Sequence, residues 1–513
     1  MNKLSSSLVV ATAMAIAVST ADAAGQTALV RVSGPSPYAS CTEPGVPGSV
    51  NYPNAEVEPS VDVNPTTIAR SRVNLVGVWQ QDVWSSRAAH GGVAASSFDG
   101  GKTWNEVTLP FSGCAPGSIV DPATSSPWTA VADDWVSFGP DGIAYTTATA
   151  GSAVDLDNAV VAARSIDGGR TWDHATNVEA DAGTTSGPTH FFNDKDAVTA
   201  DPNRQQTAYV VWDRLEAPNG FPLSTRAIAS RGPTLFSMTT DGGQSWSAPR
   251  VIVDTAQNNQ TIGNQIVVAP DGTLYDFFDL ILSTGPNSDG KMSVKQHGSN
   301  VAFVKSTDGG VNWTAPQIIS ELDTVGVTDP NTGAAITTGT FVSVSAALDP
   351  VAGTLYVAWQ DGRFNGGNYD EVAISVSTDG GAHWTTPARA STPTGRAAFD
   401  PTLKVAADGT VGLTYYDFRN LSSSNTSTLP TNYWLRKSPV GGAAFGADIS
   451  IVPADQPFNT LAVPSVVGGP FVGDYQGLAA VGTTFHPLFV AANCSDASCA
   501  GGANPTDVYT GAF

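Results

Sequence analysis

Positive charge is scarce in this chain. Lysine and arginine total 24 against 46 aspartates and glutamates in 513 residues, a formal net charge of −22. Such an acidic balance repels polyanions, which argues against nucleic acid and anionic membranes as partners. Cysteine is also rare, at four residues, and no spacing among Cys41, Cys114, Cys494 and Cys499 matches a zinc or redox motif. Beyond the first residues no apolar run is long enough to span a membrane. Charged residues are only 14 % of the chain, while glycine (52) and proline (34) are plentiful, a balance that suits many short strands joined by turns.

The first residues are the exception to the missing apolar run. Lys3 precedes an apolar stretch from Leu8 to Val18 and a small-X-small site at Ala21-Asp22-Ala23. That order is the pattern of a cleaved secretory signal peptide, so residues 1–23 are assigned to it and 24–513 to the exported chain. The expected location is secreted or periplasmic. In that oxidising setting two disulfides are expected. Cys494 and Cys499 are near enough to close a local loop, and Cys41 with Cys114 follows by elimination.

One pattern, Ser/Thr-X-Asp-X-Gly-X-X-Trp, recurs five times. Its aspartate and tryptophan are Asp99 and Trp104, Asp167 and Trp172, Asp241 and Trp246, Asp308 and Trp313, and Asp379 and Trp384. A worn sixth copy keeps Ser438, Gly442 and Phe445 and has lost the aspartate. Successive tryptophans lie about 70 residues apart, the period of an array of supersecondary units. An aspartate bonds its own backbone in a tight turn, and the glycine pair (Gly100-Gly101 in the first copy) supplies positive φ. The tryptophan folds over the turn and covers it. The pattern therefore reads as structural. It resembles the Asp-box of the sialidase superfamily, and the chain resembles secreted bacterial sialidase-like (BNR-repeat) proteins. The resemblance implies an all-β propeller with the boxes on the face away from the active site.

Each period also repeats its strand signals. Candidate innermost strands are Val57–Val63, Trp135–Phe138, Ala197–Ala200, Ile266–Ala269, Val342–Leu348, Leu403–Ala406 and Leu478–Val481. These predict a single β-propeller of seven blades, with the six-bladed sialidase propeller as the alternative. The last unit is one strand short. Ala28–Val32 is the expected fourth strand, closing the ring and removing an open sheet edge.

If the box turns lie on the lower face, residues entering first strands and leaving second strands gather on the upper one. The entering groups are Glu56 and Glu58, Asp133-Asp134, Asn193 to Asp196, Asn264-Gln265, Asp400, and Asp474-Tyr475-Gln476. Arg214, Arg363 and Arg419 leave second strands in a repeated Trp/Tyr-(X)-Asp-(X)-Arg pattern, read either as a local ion pair or as an arginine cluster for an anionic substrate. The sialidase resemblance implies three arginines on a sugar carboxylate, a tyrosine nucleophile paired with a glutamate, and an aspartate as acid/base. Here these roles fall on Arg214, Arg363 and Arg419, on Tyr475 with Glu58, and on Asp134 or Asp196, with Asp474 beside the tyrosine. The Phe/Tyr-Arg-Ile-Pro motif that carries the first arginine in sialidases is absent from this sequence.

The leading functional reading is a secreted glycoside hydrolase of exo-α-sialidase type, acting as a monomer on acidic glycans or glycoconjugates. The alternatives are a non-catalytic propeller that binds glycan or protein, and a polysaccharide lyase with His90, His190 or His297 as base. No cofactor is expected; the acidic run Asp194–Asp196 offers oxygen ligands for Ca²⁺ without the spacing of a calcium loop.

Overall fold

The computed structural model describes residues 28–513 except 70–71, 87, 154, 156, 182–188, 219–230, 284–295, 340–343, 440–441, 443 and 494–504. The chain is all-β, with antiparallel sheets following one another in sequence order. Innermost strands are Glu56–Val63, Ala130–Phe138, Thr189–Ala200, Asn259–Val268, Ser345–Leu348, Ala398–Val405 and Gly477–Val481. From each, the chain steps outward through antiparallel neighbours. The first two units are counted as one eight-stranded sheet, joined at the single pair Ala89–Val131. In the last unit, the outer strand Thr506–Thr510 pairs with Val30–Arg31 from the chain's other end.

Adjacent innermost strands touch, and the last touches the first. Side chains stitch these strands together. Val136 N donates to Ser60 Oγ at 3.4 Å and Phe138 N to Asp62 Oδ2 at 2.8 Å. Ala200 N donates to Ser137 Oγ at 3.1 Å, and Thr199 Oγ1 to Ile266 O at 2.9 Å. Further round, Ala346 N donates to Gln265 Oε1 at 2.8 Å and Leu403 N to Ser345 Oγ at 2.9 Å. Thr402 Oγ1 then reaches Gln476 O at 2.9 Å, and Asp474 N returns to Glu58 Oε1 at 3.0 Å. Polar residues on an otherwise apolar strand face are thereby satisfied, as buried polar groups must be.

Four observed innermost strands, Ala130–Phe138, Thr189–Ala200, Asn259–Val268 and Ala398–Val405, begin well upstream of the expected ones because each carries a bulge, as Glu56–Val63 also does. Register shifts fall at Val57/Ser60, Ala132/Trp135, Asp194/Ala197, Ile262/Gln265 and Phe399/Thr402. The first of the two residues inside each bulge has positive φ: Glu58 (54°), Asp133 (59°), Lys195 (50°), Gly263 (71°) and Asp400 (54°). A bulge breaks the period-2 alternation, so the upstream half reads as loop.

The five repeated turns share one hydrogen-bond scheme. In the first, Ser97 Oγ donates to Asp99 Oδ1 (2.9 Å), and Asp99 accepts from Lys102 N, Thr103 N (both 3.0 Å) and Thr103 Oγ1 (2.7 Å). These donors hold the carboxyls of Asp99, Asp241, Asp308 and Asp379 down at about 2. The turns also bind neighbouring sheets. Trp246, Trp313 and Trp384 lie against Tyr145, Phe236 and Phe303 of the preceding unit, with ring centroids 6.5, 5.6 and 5.8 Å apart. Gly101 of the first turn approaches His486 of the last sheet.

Cys41 and Cys114 form a disulfide that ties the N-terminal segment to the turn region after the first sheet. Cys494 and Cys499 lie outside the described residues.

Candidate functional site

The bulges place Glu58, Asp133, Lys195 and Asp400 at corresponding points of their innermost strands, and the first three meet in one buried cluster. Lys195 Nζ lies 2.7 Å from Asp474 Oδ2, 3.1 Å from Asp133 Oδ1 and 3.2 Å from Glu58 Oε1. Gln80 Nε2 donates to Glu58 Oε2, and Gln476 Nε2 to Asp400 Oδ2 at 3.0 Å. Non-glycine residues at positive φ are strained, and four of them here bring titratable groups toward one region, the pattern of a site that the surrounding fold over-determines.

Burial dominates the electrostatics. It pushes Glu58 up to about 8, with Lys195 pulling it back and Asp133 and Asp474 adding to the rise. Asp400 also rises to about 8, by burial first, while Gln476 opposes. Asp134 and Asp196 stand well above the carboxylate range through burial and the repulsion of neighbouring carboxyls. In Asp474 burial again outweighs the attraction of Lys195. At neutral pH the cluster thus holds protonated carboxyls next to a charged ammonium.

A cavity of about 440 Å³ is lined by residues of all seven innermost strands. Lys195, Asp196, Asp474, Tyr475 and Gln476 form its inner end. The opposite end reaches Pro65, Pro140, Pro202 and Pro350, in the turns that join first strands to second strands. That is the side of the repeated tryptophan turns, opposite to the face where the sequence reading placed the depression. The other side is crossed by the segment before Tyr475: Thr337 N donates to Pro470 O (3.0 Å) and Val472 N to Thr338 Oγ1 (2.8 Å), while Val466 and Phe471 pack on Tyr52, Val57 and Val83.

Of the residues singled out from sequence, Glu58 and Asp474 meet at Lys195, and Tyr475 and Asp196 line the cavity beside them. The Tyr475 hydroxyl donates to the main-chain oxygen of Asp134 at 3.2 Å, and its ring lies against Trp135 at 5.0 Å. Burial, then the carboxyls of Glu58 and Asp133, raise the phenol well above its ordinary value, which keeps it neutral. Asp134 turns toward the first sheet, where its Oδ1 lies so near Gly92 that a side chain there would collide with it.

The three arginines are engaged elsewhere. Arg214 Nε donates to Asp181 Oδ2 at 2.8 Å, and the guanidinium stacks 3.9 Å over Phe191. Arg363 Nε donates to Asp361 Oδ1 at 2.7 Å. Arg419 binds Asp417 and Asp448, both at 2.6 Å, and lies 3.8 Å over Trp434. The local ion pair within the repeated Asp-Arg pattern is thus present for Arg363 and Arg419. Asp213 instead accepts from Thr261 Oγ1, Gly263 N and Asn264 Nδ2.

Lys195, Asp133 and Asp400 were visible in the sequence only as loop charges. The signal that could have raised them is their shared place, two residues before the inner-strand alternation resumes, at Ser60, Trp135, Ala197 and Thr402.

No protein-family model matches the chain, and no curated protein does. Solved structures similar to it include an α-L-arabinofuranosidase from Fusarium graminearum, at 13 % identity and TM-score 0.44, covering 76 % of this chain and 92 % of that one. A Hadza microbial sialidase is similar at 14 % identity and TM-score 0.43, covering 85 % and 76 %. The intramolecular trans-sialidase from Ruminococcus gnavus follows at 14 % identity and TM-score 0.40, covering 90 % and 95 %.

Proposed function

We propose that this chain is an exported seven-bladed propeller, closed by its N-terminal strand, that acts as a glycoside hydrolase through a pair of buried aspartates. The observation that carries the reading is the inner end of the cavity, which Asp196 and Asp474 both line in unlike surroundings. Asp196 is held protonated by burial and by neighbouring carboxyls, the state a general acid needs. Burial raises Asp474 as well, but Asp474 is the carboxyl nearest Lys195, whose ammonium opposes that rise. Two carboxyls of which one has an ammonium at hand can divide the proton-donating and anionic roles of glycoside cleavage. The disulfide supports export, and the ring of stitched innermost strands supports the blade count.

Exo-α-sialidase chemistry, the finer form of this reading, calls for guanidiniums free to take a sugar carboxylate. Arg214, Arg363 and Arg419 each already hold a carboxylate, so the proposal places the substrate among glycosides without an acidic group. The neutral Tyr475 phenol favours a second reading, a glycan-binding propeller without turnover. A panel of fluorogenic arabinofuranosides, amino-sugar glycosides and sialosides separates them. The hydrolase reading expects turnover of a non-acidic member, falling at least about 100-fold in Asp196→Asn at an unchanged melting temperature. Turnover confined to sialosides, or none on the panel, would overturn it.

A further inference from the structure

The inner end of the cavity has an excess of acid. Glu58, Asp133 and Asp474 share one ammonium, Lys195, with Asp196 lining the cavity beside them, and the only other cation lining the cavity among the described residues, Lys404, lies at the turn end 3.8 Å from Asp62. Asp474 is buried, and its Oδ1 accepts no hydrogen bond. A buried acceptor in that state costs stability unless something donates to it. Two aromatic rings line the same end: Trp135 and Tyr475 are tilted against each other at 5.0 Å. Among the described residues no group of three His, Cys, Asp or Glu side chains has the geometry to hold a metal ion. An anion would meet Lys195 already engaged by three carboxyl groups.

We propose that this cavity binds a compact organic ammonium ion, either an amino sugar or an alkylammonium. Asp474 supplies the counter-charge, Asp196 an acceptor oxygen, and Trp135 and Tyr475 apolar and π surface. An N⁺–H group makes a charge-assisted bond to a carboxylate, and aromatic faces attract a cation whose hydration is weak. The volume of about 440 Å³ falls within the range of small-ligand pockets. Entry is through the turn end, past Asp62, and the chain's net charge of −22 raises the local concentration of cations. This goes beyond the hydrolase reading, because binding does not require turnover.

Calorimetric titration of the intact exported chain with paired probes tests it: glucosamine against glucose, and tetramethylammonium against tert-butanol. The expected result is saturable one-site binding of at least one cation, with its neutral twin at least tenfold weaker. Asp474→Asn should weaken that cation at least tenfold. If this variant does not fold, Asp196→Asn carries the expectation of a severalfold loss, and the wild-type pairs decide alone if neither folds. Absence of cation binding, equal binding of the neutral twin, or unchanged affinity in a folded Asp474→Asn protein would overturn the proposal. The last outcome would mean attraction to the acidic surface only. None of these results depends on hydrolysis, so the two proposals fail separately.

Discussion

Lys195 Nζ and Asp474 Oδ2 lie 2.7 Å apart although 279 residues separate them in sequence, and the pair joins the strand Thr189–Ala200 to the segment that enters Gly477–Val481. Asp133 and Glu58 complete the group from the strands Ala130–Phe138 and Glu56–Val63, so one ammonium links three innermost strands and the segment before a fourth. Removing Lys195 would leave buried carboxylates without a counter-ion. Lys195→Met should therefore cost about 3–5 kcal/mol, the usual penalty for breaking a buried ion pair from one side. Glu58→Gln should cost only about 1 kcal/mol, since at neutral pH the fold already holds Glu58 protonated and an amide mimics that form. Urea unfolding of the two variants checks the contrast; equal losses would show that Glu58 is charged.

The tryptophan turns carry fold and not chemistry. Trp313 is half-buried against Phe236 of the preceding unit and donates from Nε1 to Gly310 O at 2.9 Å. Trp313→Ala should cost about 2–3 kcal/mol, less than a fully enclosed tryptophan would. Ligand affinity at the cavity should be unchanged in the folded fraction. A loss of affinity with no change in melting temperature would place the turn in the binding machinery.

These turns were legible because each is a local code: Ser97, Asp99, Gly101 and Trp104 satisfy one another within eight residues. Strand direction followed from them, and with it the convergence of Glu58 and Asp474. Lys195 was missed for a different reason. Its three partners come from positions 58, 133 and 474, and only the bulge aims it at them. No periodicity in a single strand encodes that. Arg214 was misjudged likewise. Its neighbour Asp213 turns to the next sheet, and the guanidinium pairs with Asp181 of the preceding one. Sequence adjacency does not specify which side of a sheet edge supplies a charged partner.

The Cys41–Cys114 bridge closes a loop spanning 73 residues. In the chain-entropy account such a loop is worth about 4 kcal/mol. Replacing both cysteines with serine should lower the urea midpoint accordingly. A midpoint unchanged in the double variant would show that the loop is already constrained in the unfolded chain.

The pH dependence should have two limbs with different owners. Glu58 and Asp400 stand at about 8 in the folded chain, above their unfolded values near 4. Between those values the folded state holds protons that the unfolded state has released, so stability is fullest below about pH 4 for these groups and falls as pH rises to about 8. The box aspartates Asp99, Asp241, Asp308 and Asp379 act oppositely. Held at about 2 when folded, they favour the native state above about pH 4 and lose that contribution as pH falls toward 2. Stability should therefore peak in mildly acid solution and decline on both sides. Glu58→Gln removes one proton-binding group and should flatten the limb between about pH 5 and 8 without touching the acid limb. Asp99→Asn should do the reverse. Thermal melts of the three proteins from pH 2 to 9 read both limbs at once, and a Glu58→Gln protein with the wild-type slope above pH 5 would remove Glu58 from the account.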